Sequence, residues 1–205
     1  MPTSNSKMTS SNKATAAIIL AGGAGRRLNG ADKGLQHYQG KRLVEHVIDV
    51  IYPQVETIYI CANRSLQTYR SFGFKVLSDQ HDDYQGPLSG ISTALRLELL
   101  DSKADKVLIS SCDAPHLPKN LVKRLETGLS RYELADVSIA HDGNRRQNLH
   151  CLIKRQAWQS LIDFFDNDGR AMHRWLAEVN AVDVDFSVES NAFLNINTTE
   201  QLKLS

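Results

Sequence analysis

The chain has 205 residues, a formal net charge of +1, and 41% apolar against 23% charged residues. That length suits one domain with a substantial core, and the near-neutral balance argues against a protein that coats nucleic acid or another polyanion. Cys61, Cys112 and Cys151 are far apart with no C-x-x-C pair, and no apolar run nears the ~20 residues that span a bilayer, so a disulfide framework, a cysteine zinc site and a membrane helix are disfavoured and a reducing cytoplasm is expected.

Residues 1–15 (MPTSNSKMTSSNKAT) are polar, with no apolar stretch of the kind a secretory signal needs. They are expected to be a disordered leader before a single domain over 16–205. Ala16–Ala21 then run without a charge and stop at Gly22-Gly23. This pattern predicts a fully buried parallel strand that opens into a loop of bare backbone N–H groups. Arg26, Arg27 and Lys33 add positive charge to that loop. Two familiar phosphate loops fail on spacing: after Gly25 and four residues comes Gly30-Ala31-Asp32 rather than Gly-Lys-Ser/Thr, and a G-x-G-x-x-G begun at Gly23 ends on Leu28.

Helical spacing of Leu43, Val44, Val47, Ile48 and Ile51 predicts a helix over 41–52, ended by Pro53. Strands are predicted at Glu56–Ala62, Lys75–Ser78 and Lys106–Ser111. Helices are predicted near 65–71, after Gly90 and over Leu117–Leu129. This alternation implies βαβ units on a mostly parallel sheet with helices on both faces. The last third reads as a mixed portion: strands at Asp136–Ala140, Asn148–Lys154 and Ala181–Phe186, and helices near 155–166 and over Arg170–Val179. Asn197 and Glu200 suit a capping box for a short final helix.

In such sheets ligands bind beyond the carboxyl ends of the strands. Gly22-Gly23, Asn63, Asp79 and Asp113 each follow a predicted strand at that end, so they are expected to line one cleft. Asp113 suits either a Mg²⁺ ligand or a helix N-cap. Lys33 suits phosphate neutralisation or a solvated loop, Arg27 a leaving pyrophosphate or a surface ion pair. Asn63 and Asp79 suit base or ribose contacts, or simply turns. The histidines show no metal spacing, Trp158, Phe164, Phe165 and Trp175 suit the core or a pterin-sized platform, with the core expected, and Cys112 reads as an inert buried thiol.

Taken together, Leu20-Ala21-Gly22-Gly23…Arg27…Gly30…Asp32-Lys33, Ala62-Asn63-Arg64, Tyr84 to Gly90 (YQGPLSG), Cys112-Asp113-Ala114-Pro115 and Phe193 to Thr198 (FLNINT) resemble the molybdenum cofactor guanylyltransferase family. The resemblance runs from about residue 15 to the end. It implies a Rossmann-like nucleotidyltransferase fold that moves GMP from GTP to molybdenum-bearing molybdopterin with Mg²⁺. In that reading Leu20, Ala21, Gly22 and Gly23 cradle the nucleotide and Asn63 and Asp79 contact it. Arg27, Lys33 and Asp113 carry the chemistry, Asp113 as the metal ligand, and Arg170, Asn195 and Asn197 lie on the pterin side. Relatives that use CTP tend to carry Ala where this chain has Gly22, so guanine is expected. The chain departs from the family at Leu28-Asn29 and Asn148, and the Arg170 alignment is offset by nearby arginines. A monomer with no nucleic-acid or membrane partner, in transient contact with cofactor-insertion proteins, completes the expectation. A CTP- or sugar-phosphate-using relative and a non-catalytic GTP-binding regulator are the competing readings.

Overall fold

A computed structural model describes residues 14–22, 31–79, 85–100 and 102–203. Gly23, Arg27 and the Leu28-Asn29 departure lie outside the described residues. The central sheet has seven strands in the order β5-β4-β1-β6-β8-β7-β9. These are β1 (Thr15–Leu20), β4 (Thr57–Cys61), β5 (Lys75–Leu77), β6 (Lys106–Ser111), β7 (Val137–His141), β8 (Arg146–Lys154) and β9 (Ala181–Asp185). β1 pairs in parallel with β4 on one side and β6 on the other, and β8 is antiparallel to both its neighbours. Chain order therefore reverses beside β1, where a doubly wound sheet opens its ligand crevice. A two-stranded hairpin, β2 (His37–Tyr38) and β3 (Lys41–Arg42), stands apart from the sheet. Its turn residues Gln39 and Gly40 both have positive φ (46° and 81°), as a type I′ turn requires. A glutamine at the first of them hid this hairpin from the sequence.

Successive residues of the buried strands serve opposite faces. Ala17 and Ile19 pack with Val44 and Val47 of α1 (Leu43–Ile51) and Leu125 of α4 (Leu121–Arg131). Ala16 and Ile18 pack with Leu88 and Ile91 of α3 (Pro87–Ala94) and Trp158 of α5 (Trp158–Asp166). Both faces are thus covered, which explains why β1 reads as a continuous apolar run rather than an alternating one. Among the described residues, no helix is long and apolar enough to cross a membrane.

Element boundaries moved where local chemistry overrode periodicity. α4 starts at Leu121, four residues later than expected, because Pro118 disfavours helical geometry at Leu117 and Asn120 takes the N-cap position. α3 runs into a π turn, Leu95–Leu99, which rotates Leu97 out to 54% exposure. The helix expected over Arg170–Val179 shrinks to α6 (Met172–Trp175); Ala177 and Glu178 close i→i+3 bonds to Arg174 and Trp175 and tighten the chain into turns. The final cap sits one residue further on than expected. Thr198 N–H donates to Gln201 Oε1 and Gln201 N–H donates to Thr198 Oγ1 at the start of α7 (Thr199–Lys203). That shift matters, because it releases the Asn197 side chain for the cleft.

Candidate active site

The four parallel strands end at one rim. Past the ladder, Ala21 N–H donates to Cys61 O (2.8 Å), Ala62 N–H to Leu77 O (2.9 Å) and Cys112 N–H to Leu20 O (3.1 Å). The residues after β1, β4, β5 and β6 are therefore held side by side, and they border a cleft of about 170 Å³. Leu20, Ala21, Gly22, Lys33, Asn63, Asp79 and Asp113 all line it. The N-terminal end of α3 closes it through Gly86, Pro87 and Gly90, with its partial positive charge available to an anion. Gly90 is needed for that approach: a Cβ there would lie 3.0 Å from Cys61 Cβ and 3.5 Å from Asp79 Oδ1.

Asn63 and Asp79 are bonded to each other. Asn63 Nδ2 donates to Asp79 Oδ2 (2.8 Å), and Asp79 N–H donates back to Asn63 Oδ1 (2.9 Å). The pair fixes the orientation of both side chains at the cleft wall, beside Gly22, whose absent Cβ would sit 3.7 Å from Asn63 Nδ2.

At the other end of the cleft, Lys33 Nζ bonds Asp113 Oδ2 and donates to Asn197 Oδ1 (2.6 Å). Residues from the first, middle and last parts of the chain meet here. Ile196 N–H donates to Asp113 O (2.9 Å), which ties the Asn195-Ile196-Asn197 segment to the end of β6. Asp113 caps no helix, since α4 begins eight residues later at Leu121. Its side chain is only 15% exposed, and its Oδ1 is buried with no hydrogen-bond partner among the described residues. A buried, unpartnered carboxylate oxygen is costly unless something else completes it.

A second cavity, of about 570 Å³, adjoins the first and shares Ser111 and Leu149 with it. Arg145, Arg146, Gln147, His173 and Asn195 also line it, and Asn195 Oδ1 too is buried with no partner among the described residues. Asn195 and Asn197 therefore divide their duties, one to this cavity and the other to Lys33. Arg170 is turned elsewhere. Its guanidinium donates to the carbonyls of Phe165 (2.7 Å) and Gly169 (3.0 Å), pairs with Asp168 and stacks over Phe165, closing the end of α5. The structure brings that side chain into neither cavity, and Arg145 and Arg146 supply the positive charge at the outer one. Sequence reasoning passed over both, although the R-R-Q run directly after the His141–Asn144 turn was the available signal.

His150, at the seam of the two cavities, is buried and contacts Ser110 Oγ (3.4 Å) and Ser111 Oγ (3.3 Å). Burial lowers its pKa from 6.5 to about 4, so it is neutral at pH 7. Cys112 lines the cleft as well, but burial, followed by the charge of Asp113, pushes its thiol far above the usual range. It is a packing residue, in line with the sequence reading, and so are Trp158 and Trp175, both fully buried.

A family model described as MobA-like NTP transferase domain matches residues 17–182. The chain is 42% identical over 185 residues to a Shewanella piezotolerans protein named molybdenum cofactor guanylyltransferase, covering 90% of this chain and 88% of that one. It is 41% identical over 186 residues to a protein of the same name from Mannheimia succiniciproducens, covering 91% and 95%. Among solved structures, molybdopterin-guanine dinucleotide biosynthesis protein A from Archaeoglobus fulgidus matches with a TM-score of 0.71 at 22% identity, over 92% of this chain and 95% of that one. 4-diphosphocytidyl-2C-methyl-D-erythritol synthase from Anaerococcus prevotii matches with a TM-score of 0.67 at 12% identity, over 94% and 96%. At those identities the structural likeness is one of fold, a Rossmann-like nucleotidyltransferase sheet. On the family match and the sequence identities together, the chain belongs to the MobA-like NTP transferase family.

Proposed function

We propose that the protein transfers GMP from GTP to molybdenum-molybdopterin, releasing pyrophosphate. The observation that carries this reading is the meeting of Lys33, Asp113 and Asn197 at the cleft edged by Gly22, Asn63 and Asp79, which adjoins through Ser111 and Leu149 a second cavity lined by Arg145, Arg146 and Asn195. In this reading guanosine occupies the first, and a phosphorylated acceptor the second. A terminal phosphate oxygen of the acceptor attacks the α-phosphorus; the new P–O bond forms as the bond to the β-phosphate bridging oxygen breaks and pyrophosphate leaves with that electron pair. The attacking oxygen is already ionised at pH 7, so the site needs no general base, and the neutral His150 and the inert Cys112 need take no part.

What this transfer requires is positioning and positive charge. Lys33 offsets charge as it builds on the phosphates and is joined in the proposal by Arg27. The Asp113 carboxylate, with its unpartnered Oδ1, suits a hard divalent cation. Among the described residues no group of three or more His, Cys, Asp or Glu gathers to hold a metal. Asp113 would hold Mg²⁺ through its carboxylate, a hard cation of this kind taking one or two carboxylates and completing its coordination with substrate phosphates. The ion, when bound, supplies Lewis-acid stabilisation of the phosphate oxygens. Asn195 orients the acceptor, and Arg145 and Arg146 bind its anionic end. Three buried cysteines suit work in a reducing cytoplasm.

The deciding experiment is a pyrophosphate-release assay with purified protein, Mg-GTP and molybdenum-loaded molybdopterin, repeated with CTP, ATP and UTP. Release with GTP alone among the four supports the proposal. Preference for CTP overturns the guanine assignment, and GTP binding without release makes the protein a regulator.

A further inference from the structure

The Lys33 ammonium ends a flexible four-carbon stem, yet it must sit between Asp113 and Asn197. The backbone that carries it is gripped by a separate cluster of side chains. Asp32, immediately before it, has a carboxylate only 8% exposed. Tyr69, on α2 (Leu66–Arg70), is fully buried and donates its hydroxyl to Asp32 Oδ1 at 2.6 Å. Arg64 Nε lies 3.8 Å from Asp32 Oδ2, and Arg64 Nη2 donates to the Ala31 carbonyl at 3.2 Å. Asp32 O in turn accepts from Leu35 N–H and Gln36 Nε2, closing the short 3₁₀ turn Lys33–Leu35.

Gly34 completes the grip. A Cβ at that position would lie 2.6 Å from the Tyr69 hydroxyl and 3.1 Å from Cys112 Sγ. Tyr69 therefore touches the turn that carries Lys33 close to the strand end that carries Asp113. Core packing alone does not call for this arrangement, because a buried carboxylate loses hydration and apolar side chains of the same volume serve stability at least as well. What the cluster supplies is geometry, and misplacing a charged group by 1 Å can cost about 10²-fold in rate. Burial, reinforced by Cys112 and Asp32, raises the Tyr69 pKa far above its ordinary value, so its hydroxyl remains a donor.

We propose that Tyr69 and Arg64 are positioning residues, which act through Asp32 to fix the turn that places the Lys33 ammonium between Asp113 and Asn197. The catalytic arm of the test rests on the function proposed above; the spectroscopic arm does not. In a double-mutant cycle of Tyr69→Phe and Lys33→Ala, Tyr69→Phe alone lowers the rate of pyrophosphate release about tenfold, with KM for GTP changed less than about threefold. In the Lys33→Ala background the same substitution changes the rate less than about twofold, because the group it positions is gone. An equal loss in both backgrounds, or no loss from Tyr69→Phe, overturns the proposal. In ¹⁵N-lysine-labelled protein without ligand, Tyr69→Phe moves the Lys33 Nζ resonance towards that of a solvated lysine; an unmoved resonance also overturns it. If Tyr69→Phe does not fold, Asp32→Asn takes its place in both arms under the same criteria. Wild-type protein that releases no pyrophosphate defeats the functional reading alone and leaves the resonance to decide the positioning.

Discussion

The two cavities that meet at Ser111 are built in opposite ways. The inner one stands at the ends of four hydrogen-bonded parallel strands, and its charged groups are largely buried: Lys33 is 21% and Asp113 15% exposed, each bonded to the other. The outer one depends on the turn between β7 and β8, where Arg145 and Arg146 are exposed. Asp142 pins the backbone of that turn by accepting from the N–H groups of Asn144 and Arg145, and the Arg146 guanidinium pairs with Asp183 at 2.7 Å in an exposed ion pair that water screens. A buried charge with a fixed partner is preorganised for chemistry and costly to disturb, whereas an exposed charge adapts to its ligand and is individually replaceable. Substitutions in the inner cavity should therefore affect the rate, and those in the outer cavity should affect the affinity for the acceptor.

The largest effect is expected from Asp113→Ala. It removes the carboxylate proposed to hold Mg²⁺ and leaves the Lys33 ammonium with Asn197 alone. Loss of one preorganised charged group at the reacting centre costs about 10²–10³-fold in kcat, measurable by pyrophosphate release across a Mg²⁺ titration. Circular dichroism should match wild type, because the Asp113 tie to Ile196 uses its backbone carbonyl. Wild-type turnover in a folded Asp113→Ala protein would remove the metal role and, with it, the contrast between the cavities.

The seam between them carries the next effect. His150 is neutral when folded because burial holds its pKa near 4 against 6.5 when solvated. Between those values the unfolded chain binds the proton and the folded chain does not. The stability is complete above about pH 6.5 and is lost as pH falls towards 4, in total about 3 kcal/mol at 1.36 kcal/mol per unit. Urea unfolding at pH 7, 6, 5 and 4 reads this directly. His150→Gln, which can still reach Ser110 and Ser111, should flatten the slope in that window; an unchanged slope would assign it to other groups.

Much of the inner cavity was legible in the sequence, for a physical reason. A buried parallel strand reads as an unbroken apolar run, and its carboxyl end is marked by the first polar or glycine residue after it. Gly22, Asn63, Asp79 and Asp113 were located that way and line one cleft. The meeting of Lys33 and Asn197 depends on a chain reversal 164 residues long in sequence separation, which no local pattern encodes; only the family resemblance hinted at it. The outer cavity was harder still. Its residues come largely from the polar start of β8, which the strand expected from Asn148 left out, and otherwise from a turn, α6 and the Asn195 segment, and so Arg145 and Arg146 were passed over while Arg170 was favoured. The Arg64–Asp32–Tyr69 cluster was invisible for a similar reason, since a tyrosine within an amphipathic five-residue helix looks like core.

A smaller effect should come from the outer arginines. Arg145→Ala with Arg146→Ala should raise KM for molybdopterin about tenfold and leave KM for GTP unchanged, because exposed charges contribute affinity through long-range attraction that salt screens. Raising the ionic strength should weaken acceptor binding in wild type and have little further effect in the double variant. A rise in KM for GTP instead would mean that the two cavities do not divide nucleotide from acceptor.

The smallest effect, and the sharpest for the identity of the base, is expected at Gly22. Among the described residues an added methyl there meets nothing closer than 3.7 Å, and the backbone is outside the left-handed region that alanine avoids. Gly22→Ala should therefore fold normally, with a melting temperature equal to or slightly above that of wild type, since alanine restricts the unfolded chain more than glycine. Any change in nucleotide affinity must then come from the methyl meeting the ligand itself, beside the fixed Asn63–Asp79 pair. Weaker GTP binding by about fivefold with CTP binding unchanged or improved, measured by competition calorimetry, corresponds to about 1 kcal/mol of discrimination. Equal loss for both nucleotides would mean that the methyl touches the shared ribose or phosphates, and base choice would then have to reside in Asn63 and Asp79.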